Sequence, residues 1–154
     1  MSTRGFEFYG NLDGSNNVPA IRDFTLGAAA AHLPGDAMLI QADGYIDAVT
    51  GSTTEVTCIM NETLAAADVT AGTTKGKAYV VTNTQIWRCS MDAATTTAEA
   101  FYDKTIDTVD KNTIDADDLT NGRMMLIDTD GLDDDGNLVA LVTFRVPSVG
   151  NSLS

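Results

Sequence analysis

Basic residues are scarce in this chain. Lys and Arg total 9 against 22 Asp and Glu, a formal charge of −13 over 154 residues. A surface this negative repels phosphate, which disfavours nucleic acid and anionic membranes as partners. It suits a soluble protein that resists aggregation, or one that docks on a basic patch of a partner. Histidine is nearly absent: His32 stands alone in an Ala-rich stretch. A zinc or catalytic site built on one imidazole needs thiols or a placed nucleophile nearby, and none is signalled. His32 is therefore expected to be an incidental loop residue. Only two cysteines occur, Cys58 and Cys89, far apart and outside any CxxC. Two buried free thiols are expected, with a disulfide or a reactive thiol as the alternatives.

Long apolar runs are missing as well. The longest fall well short of a membrane span, and polar and aromatic residues follow Met1 where a signal peptide would be apolar. The chain is expected to start life in a cytoplasm. No GxSxG, P-loop, GxGxxG or HExxH motif occurs. Carboxylates are plentiful, but they cluster in turn-rich segments beside few aromatics that would stack on a sugar. The expectation is a non-enzymatic protein with no catalytic residue, no cofactor and no metal ligand.

What is there is strand and turn chemistry. The composition is 44% hydrophobic and 20% charged, which is globular, and the length suits one domain. Thr and Val favour strands; Gly and Asp favour turns. The clearest local signal is Ala37-Met38-Leu39-Ile40-Gln41-Ala42, then Asp43-Gly44, then Tyr45-Ile46-Asp47-Ala48-Val49. Two apolar runs around Asp-Gly predict a hairpin, with a type I′ turn as the expected link. Pro34-Gly35-Asp36 punctuates its start. Further strands are expected at 55–60, 77–82, 85–89 and 123–127, with Asn83-Thr84 either turning or bulging the chain. Residues 61–72 hold a short helical turn or a loop. Lys104-Thr105-Ile106-Asp107 is echoed by Asn112-Thr113-Ile114-Asp115, two short strand pieces around an acidic turn. In the last strand Leu138, Ala140, Val142, Phe144 and Val146 share one face and Val139 and Leu141 the other. That pattern predicts a central, doubly covered strand or one buried at an oligomer interface.

The fold class expected is all-β: a small β-barrel or β-tulip-like domain over residues 35–147, an extended N-terminal arm over 1–34, and a flexible C-terminal tail over 148–154. Phe6, Phe8 and Tyr9 sit close together before a turn-rich stretch. They are read either as a first strand packed on its own barrel or as anchors that lay an arm on a partner. The acidic run 128–137 is expected to be a solvated hairpin loop. It fails the EF-hand pattern, since aligning Gly136 to the invariant glycine puts Gly131 and Val142 at ligand positions. A calcium site of another kind, from Asp130, Asp133 and Asp135, is the alternative.

Two family resemblances bear on function. Gly44-Tyr45-Ile46-Asp47 faintly echoes an element of trimeric dUTPases, but Ala48-Val49-Thr50 replaces the aromatic-Arg-Gly that should follow, and that reading is rejected. Over roughly residues 18–146 the order of features resembles the small head-decoration (cement) proteins of tailed bacteriophages. The elements are Val18-Pro19-Ala20 in an extended stretch, Leu33-Pro34-Gly35-Asp36-Ala37-Met38-Leu39, the hairpin at Asp43-Gly44-Tyr45-Ile46, paired strands such as Lys77–Thr82 and Gln85–Cys89, Asn112-Thr113-Ile114-Asp115, and the final apolar strand. The resemblance implies a virion protein on the outer capsid surface, a homotrimer, and the major capsid protein as partner, with no nucleic acid or membrane bound. It implies that Phe6, Phe8 and Tyr9 form the capsid or oligomer interface. The alternatives are another virion component (tail, baseplate or head fibre) or a calcium- or carbohydrate-binding β module.

Overall fold

In a computed structural model the chain is described over residues 5–50, 55–92, 102, 104–116 and 122–145. Eleven strands follow in order: β1 Glu7–Asn11, β2 Ile21–Thr25, β3 Ala37–Ile40, β4 Ile46–Ala48, β5 Cys58–Met60, β6 Lys75–Val80, β7 Gln85–Ser90, β8 Thr105–Asp110, β9 Thr113–Asp115, β10 Met124–Leu132 and β11 Leu138–Phe144. The only helical piece among the described residues is a 3-10 turn at Ala66–Asp68, so the all-β class stands.

The strands form two antiparallel sheets: a six-stranded one in the order β1-β7-β11-β10-β8-β9 and a five-stranded one in the order β2-β6-β5-β3-β4. No closed barrel is found among the described residues. The nearest approach is one parallel bridge, Leu26 to Ile46, which curls the end of β2 towards β4. A single bridge is not a ladder, so the sheet stays open.

The period-2 alternation of side chains explains how two sheets bury two cores. In β3, β5 and β6 successive residues point to opposite faces. Ala37, Ile59 and Tyr79 face the larger core, between the sheets, with Trp87, Ile106, Leu126, Val142 and Phe144. Met38, Cys58, Met60 and Ala78 face a smaller core with Leu26, Ile46 and Val69. The five-stranded sheet is thus covered on both faces. Every residue of β11 is buried as well, and β7 and β10 flank it, as its two-faced apolar pattern requires.

Three expectations need correction. First, the segment read as an extended arm over 1–34 holds two paired strands in its described part. β1 pairs with β7 and β2 with β6, one strand in each sheet, because Phe6 and Phe8 find core surface of their own. Second, strands β6 and β7 do not pair with each other. The chain crosses from one sheet to the other at 81–84, where Gln85 accepts the Thr82 amide at 3.0 Å through its side chain and donates to the Val80 carbonyl at 3.2 Å. Third, the β3–β4 link is not a two-residue type I′ turn. Gly44 N–H donates to Gln41 C=O at 2.9 Å, Gln41 N–H donates to Tyr45 C=O at 2.8 Å, and Gly44 has φ 87°. That is the three-residue loop with a glycine in the left-handed region. The C-terminal residues 148–154 and the end of the last expected strand, Val146, lie outside the described residues.

Candidate functional site

The turn at Leu33-Pro34-Gly35-Asp36 organises the site. Asp36 N–H closes it onto Leu33 C=O at 3.1 Å, and the Asp36 carboxylate accepts the Leu33 N–H at 3.0 Å. The same oxygen, Oδ2, meets Lys111 Nζ at 3.1 Å, and Lys111 also donates to Ala31 C=O at 3.0 Å. Asp36 is only 2% exposed. Burial pushes its carboxyl up. The Leu33 amide and the Lys111 ammonium, with the His32 ring beside them, outweigh that burial and hold it below its ordinary value. Backbone bonds extend the joint: Met60 N–H donates to Asp36 C=O at 2.8 Å, and Ala37 N–H to Lys111 C=O at 2.7 Å. One buried carboxylate therefore ties the start of β3 to the β8–β9 turn, and so one sheet to the other.

His32 belongs to this joint, which corrects its reading as an incidental loop residue. It is 3% exposed and exchanges backbone hydrogen bonds of 2.9 Å with Leu64. Its Nδ1 lies 3.8 Å from Asp36 Oδ2, beyond hydrogen-bond reach.

The N-terminal segment crosses over the joint. Gly5 N–H donates to Asn112 C=O and Phe6 N–H to Gly35 C=O, both at 2.8 Å. The backbones touch: a Cβ on Gly35 (φ 98°) would sit 3.1 Å from the Phe6 nitrogen. Only glycine allows this approach and this dihedral together. Phe6 then drops into the larger core against Phe144, ring centroids 5.3 Å apart.

Beside this crossing a pocket of about 350 Å³ opens between β1 and the five-stranded sheet. Its walls include Phe8, Tyr79, Trp87, Met60, Pro34 and Asn61. Trp87 is fully buried and anchors the rings, with Phe8 edge-on at 5.6 Å and Tyr79 tilted at 6.0 Å. Its indole Nε1–H donates to Gln85 Oε1 at 3.1 Å, the side chain that also bends the chain between the sheets. Phe8 and Tyr79 are half-buried. Glu7, Gly5 and Gly35 complete the lining, which contains no Lys, Arg or His among the described residues.

The three residues singled out in the sequence part ways here. Phe6 is core, and Phe8 is a half-buried pocket wall. Tyr9, at 54% exposure, is the one that faces outward. Sequence reasoning missed Asn61, Tyr79, Asp36 and Lys111 as a neighbourhood. The only signal was the Pro34-Gly35-Asp36 punctuation, and nothing in the chain order places 79, 87 and 111 beside it.

The acidic run is built as a hairpin end. β10 continues to Leu132, and Asp133 Oδ1 accepts the amides of Asp135 and Asn137, both at 2.9 Å. Asp130 accepts from Arg88 Nε at 2.6 Å. These carboxylates serve turn and ion-pair roles, and among the described residues no three His, Cys, Asp or Glu side chains gather in a metal-binding group. Cys58 and Cys89 are both buried, in different cores. No helix among the described residues is long and apolar enough to cross a membrane.

No protein-family model, curated protein or solved structure matches this chain.

Proposed function

We propose that this chain is a non-enzymatic structural protein of a tailed-phage virion. It binds the outer surface of the capsid, contacts the major capsid protein, and stabilises the shell by bridging capsomers, working as a homotrimer. The observation that carries the reading is the segment 34–49. It bears most of the resemblance to head-decoration proteins, and it is also the joint on which both sheets are hung.

The mechanism is physical. A shell packed with DNA is pushed apart from within. A protein that bridges neighbouring capsomers contributes binding free energy that must be lost before they separate, and many copies multiply the effect. A cyclic oligomer suits the symmetry axes of such a shell. Charge supports the choice of partner: at −13 the chain is repelled by the packaged DNA and attracted by basic patches of the protein shell.

The contact surface is drawn from residues the fold leaves outside. Met124 and Leu126 of β10 face the larger core, so Met125 on the opposite face of the six-stranded sheet looks outward. Met125, Ile127 and Tyr9 are all exposed. Met125 and Ile127 join Tyr9 and the half-buried Phe8 as interface candidates, while Phe6 lies in the core.

Counting copies in purified particles by quantitative mass spectrometry and cryo-microscopy tests the reading. Hundreds of copies over the head are expected, with the Tyr9→Ala/Met125→Ser variant showing reduced occupancy. A few to dozens of copies at the tail or one vertex would instead make it a tail, baseplate or fibre component.

A further inference from the structure

We propose that the pocket between β1 and the five-stranded sheet is a binding site for a neutral hexopyranose ring. This goes beyond attachment to a shell and does not depend on it.

Four observations carry the assignment. The first is size: a cavity of about 350 Å³ lies at the small end of the range for small-molecule sites, roughly 300–1,000 Å³. One sugar ring fits with a few waters. The second is the pairing of surfaces. The half-buried rings of Phe8 and Tyr79 offer apolar faces for the C–H side of a pyranose. The polar side chains in the lining are those of Asn61 and Tyr79; the Gly5 and Gly35 amides are already bonded to Asn112 and Met60. Among the described residues neither the Asn61 side chain nor the Tyr79 hydroxyl has a protein hydrogen-bond partner. A purely apolar guest would strip water from both and return nothing. A ring with hydroxyls along its edge satisfies them.

The third observation is rigidity. Phe8 and Tyr79 both lean on Trp87, whose position is fixed by burial and by its bond to Gln85. A platform held in place before the ligand arrives loses little entropy on binding. The fourth is charge. Among the described residues the lining has no cation, and Glu7 at its edge is already paired with Arg88 at 3.8 Å. A carboxylate or phosphate on the sugar finds no partner there, so a neutral ring is the better fit.

The full chain contains one tryptophan, Trp87, so its fluorescence reports on the pocket without a label. The experiment titrates the protein with methyl α- and β-glucopyranoside, methyl α- and β-galactopyranoside, N-acetylglucosamine, and short oligosaccharides of the same sugars. A saturable change at millimolar concentrations is expected with at least one of them. Asn61→Ala and Tyr79→Phe each remove one hydrogen-bonding group and keep the ring packing, and each should weaken binding about tenfold. Circular dichroism checks that both variants fold. An equal response to glycoside and oligosaccharide assigns the pocket to one ring; a tighter oligosaccharide assigns it to the terminal residue of a glycan. Three results overturn the proposal: no saturable response to any of these sugars, a response unchanged in both variants, or saturation by indole or benzyl alcohol in place of sugar.

Discussion

Asp36 does work that its neighbours in sequence do not reveal. Most of the carboxylates among the described residues are exposed or half-exposed, where ion pairs are screened and contribute little. Asp36 is buried, and it accepts from a backbone amide and from Lys111 at once. Its folded pKa is held below the ordinary value, so its sign is that of a depressed acid. The unfolded chain takes up the proton first as pH falls. The stabilisation is therefore complete above the ordinary carboxylate pKa of about 3.9 and is lost as pH falls through the lowered folded value. Asp36→Asn keeps the shape and removes the charge. We expect it to lower stability at pH 7 by about 1.5–3 kcal/mol, the range for a hydrogen bond to a charged group. The difference between wild type and variant should shrink below pH 4. Urea denaturation at several pH values measures both; a difference that stays constant down to pH 2 would contradict the assignment. Asp13, also lowered by the amide of Ser15, is common to both proteins and cancels.

Strands were more legible in the sequence than the sheets they join. Alternation and turn residues mark β3, β4, β5, β7 and β11 close to their true bounds, because each signal is local. Pairing is not local. Lys77–Thr82 and Gln85–Cys89 look like a hairpin, yet a buried Val81 and the bonds made by Gln85 send them to different sheets. The turn-rich stretch 11–17 hid β1 in a similar way: it looks like the base of a free arm, while Phe6 and Phe8 supply core and pocket. The pocket was invisible for the same reason, since few aromatics occur and only folding brings residues 8, 79 and 87 together. The consequence for β1 is testable. Removing residues 1–11 deletes Phe6 from the larger core and leaves β7 paired on one side only, with β11. Loss of one buried Phe alone costs about 3–5 kcal/mol, against a total of about 5–15 for a typical domain. The truncated chain should melt at far lower temperature or fail to fold. An unchanged melting temperature would restore the reading of this segment as a detachable arm.

Two cores in one chain raise the question of whether the molecule holds together as one unit. Ala37 and Met38 are adjacent in β3 and belong to different cores; so do Cys58 and Ile59 in β5, and Ala78 and Tyr79 in β6. Neither core loses its packing without disturbing strands that also build the other. The Asp36–Lys111 joint adds a second tie between the sheets. The expected behaviour is one cooperative transition. Each core carries its own reporter. Trp87 sits in the larger one, and Cys58 in the smaller one, where burial pushes its thiol up to about 12 and leaves it unreactive in the native state. In a Cys89→Ala background, the urea midpoint from Trp87 fluorescence and the midpoint from pulse labelling of Cys58 should coincide. Labelling that precedes the fluorescence change would mean that the curled five-stranded sheet opens first. The shared strands would then be a hinge between two bodies, and the pocket at their junction would open with it.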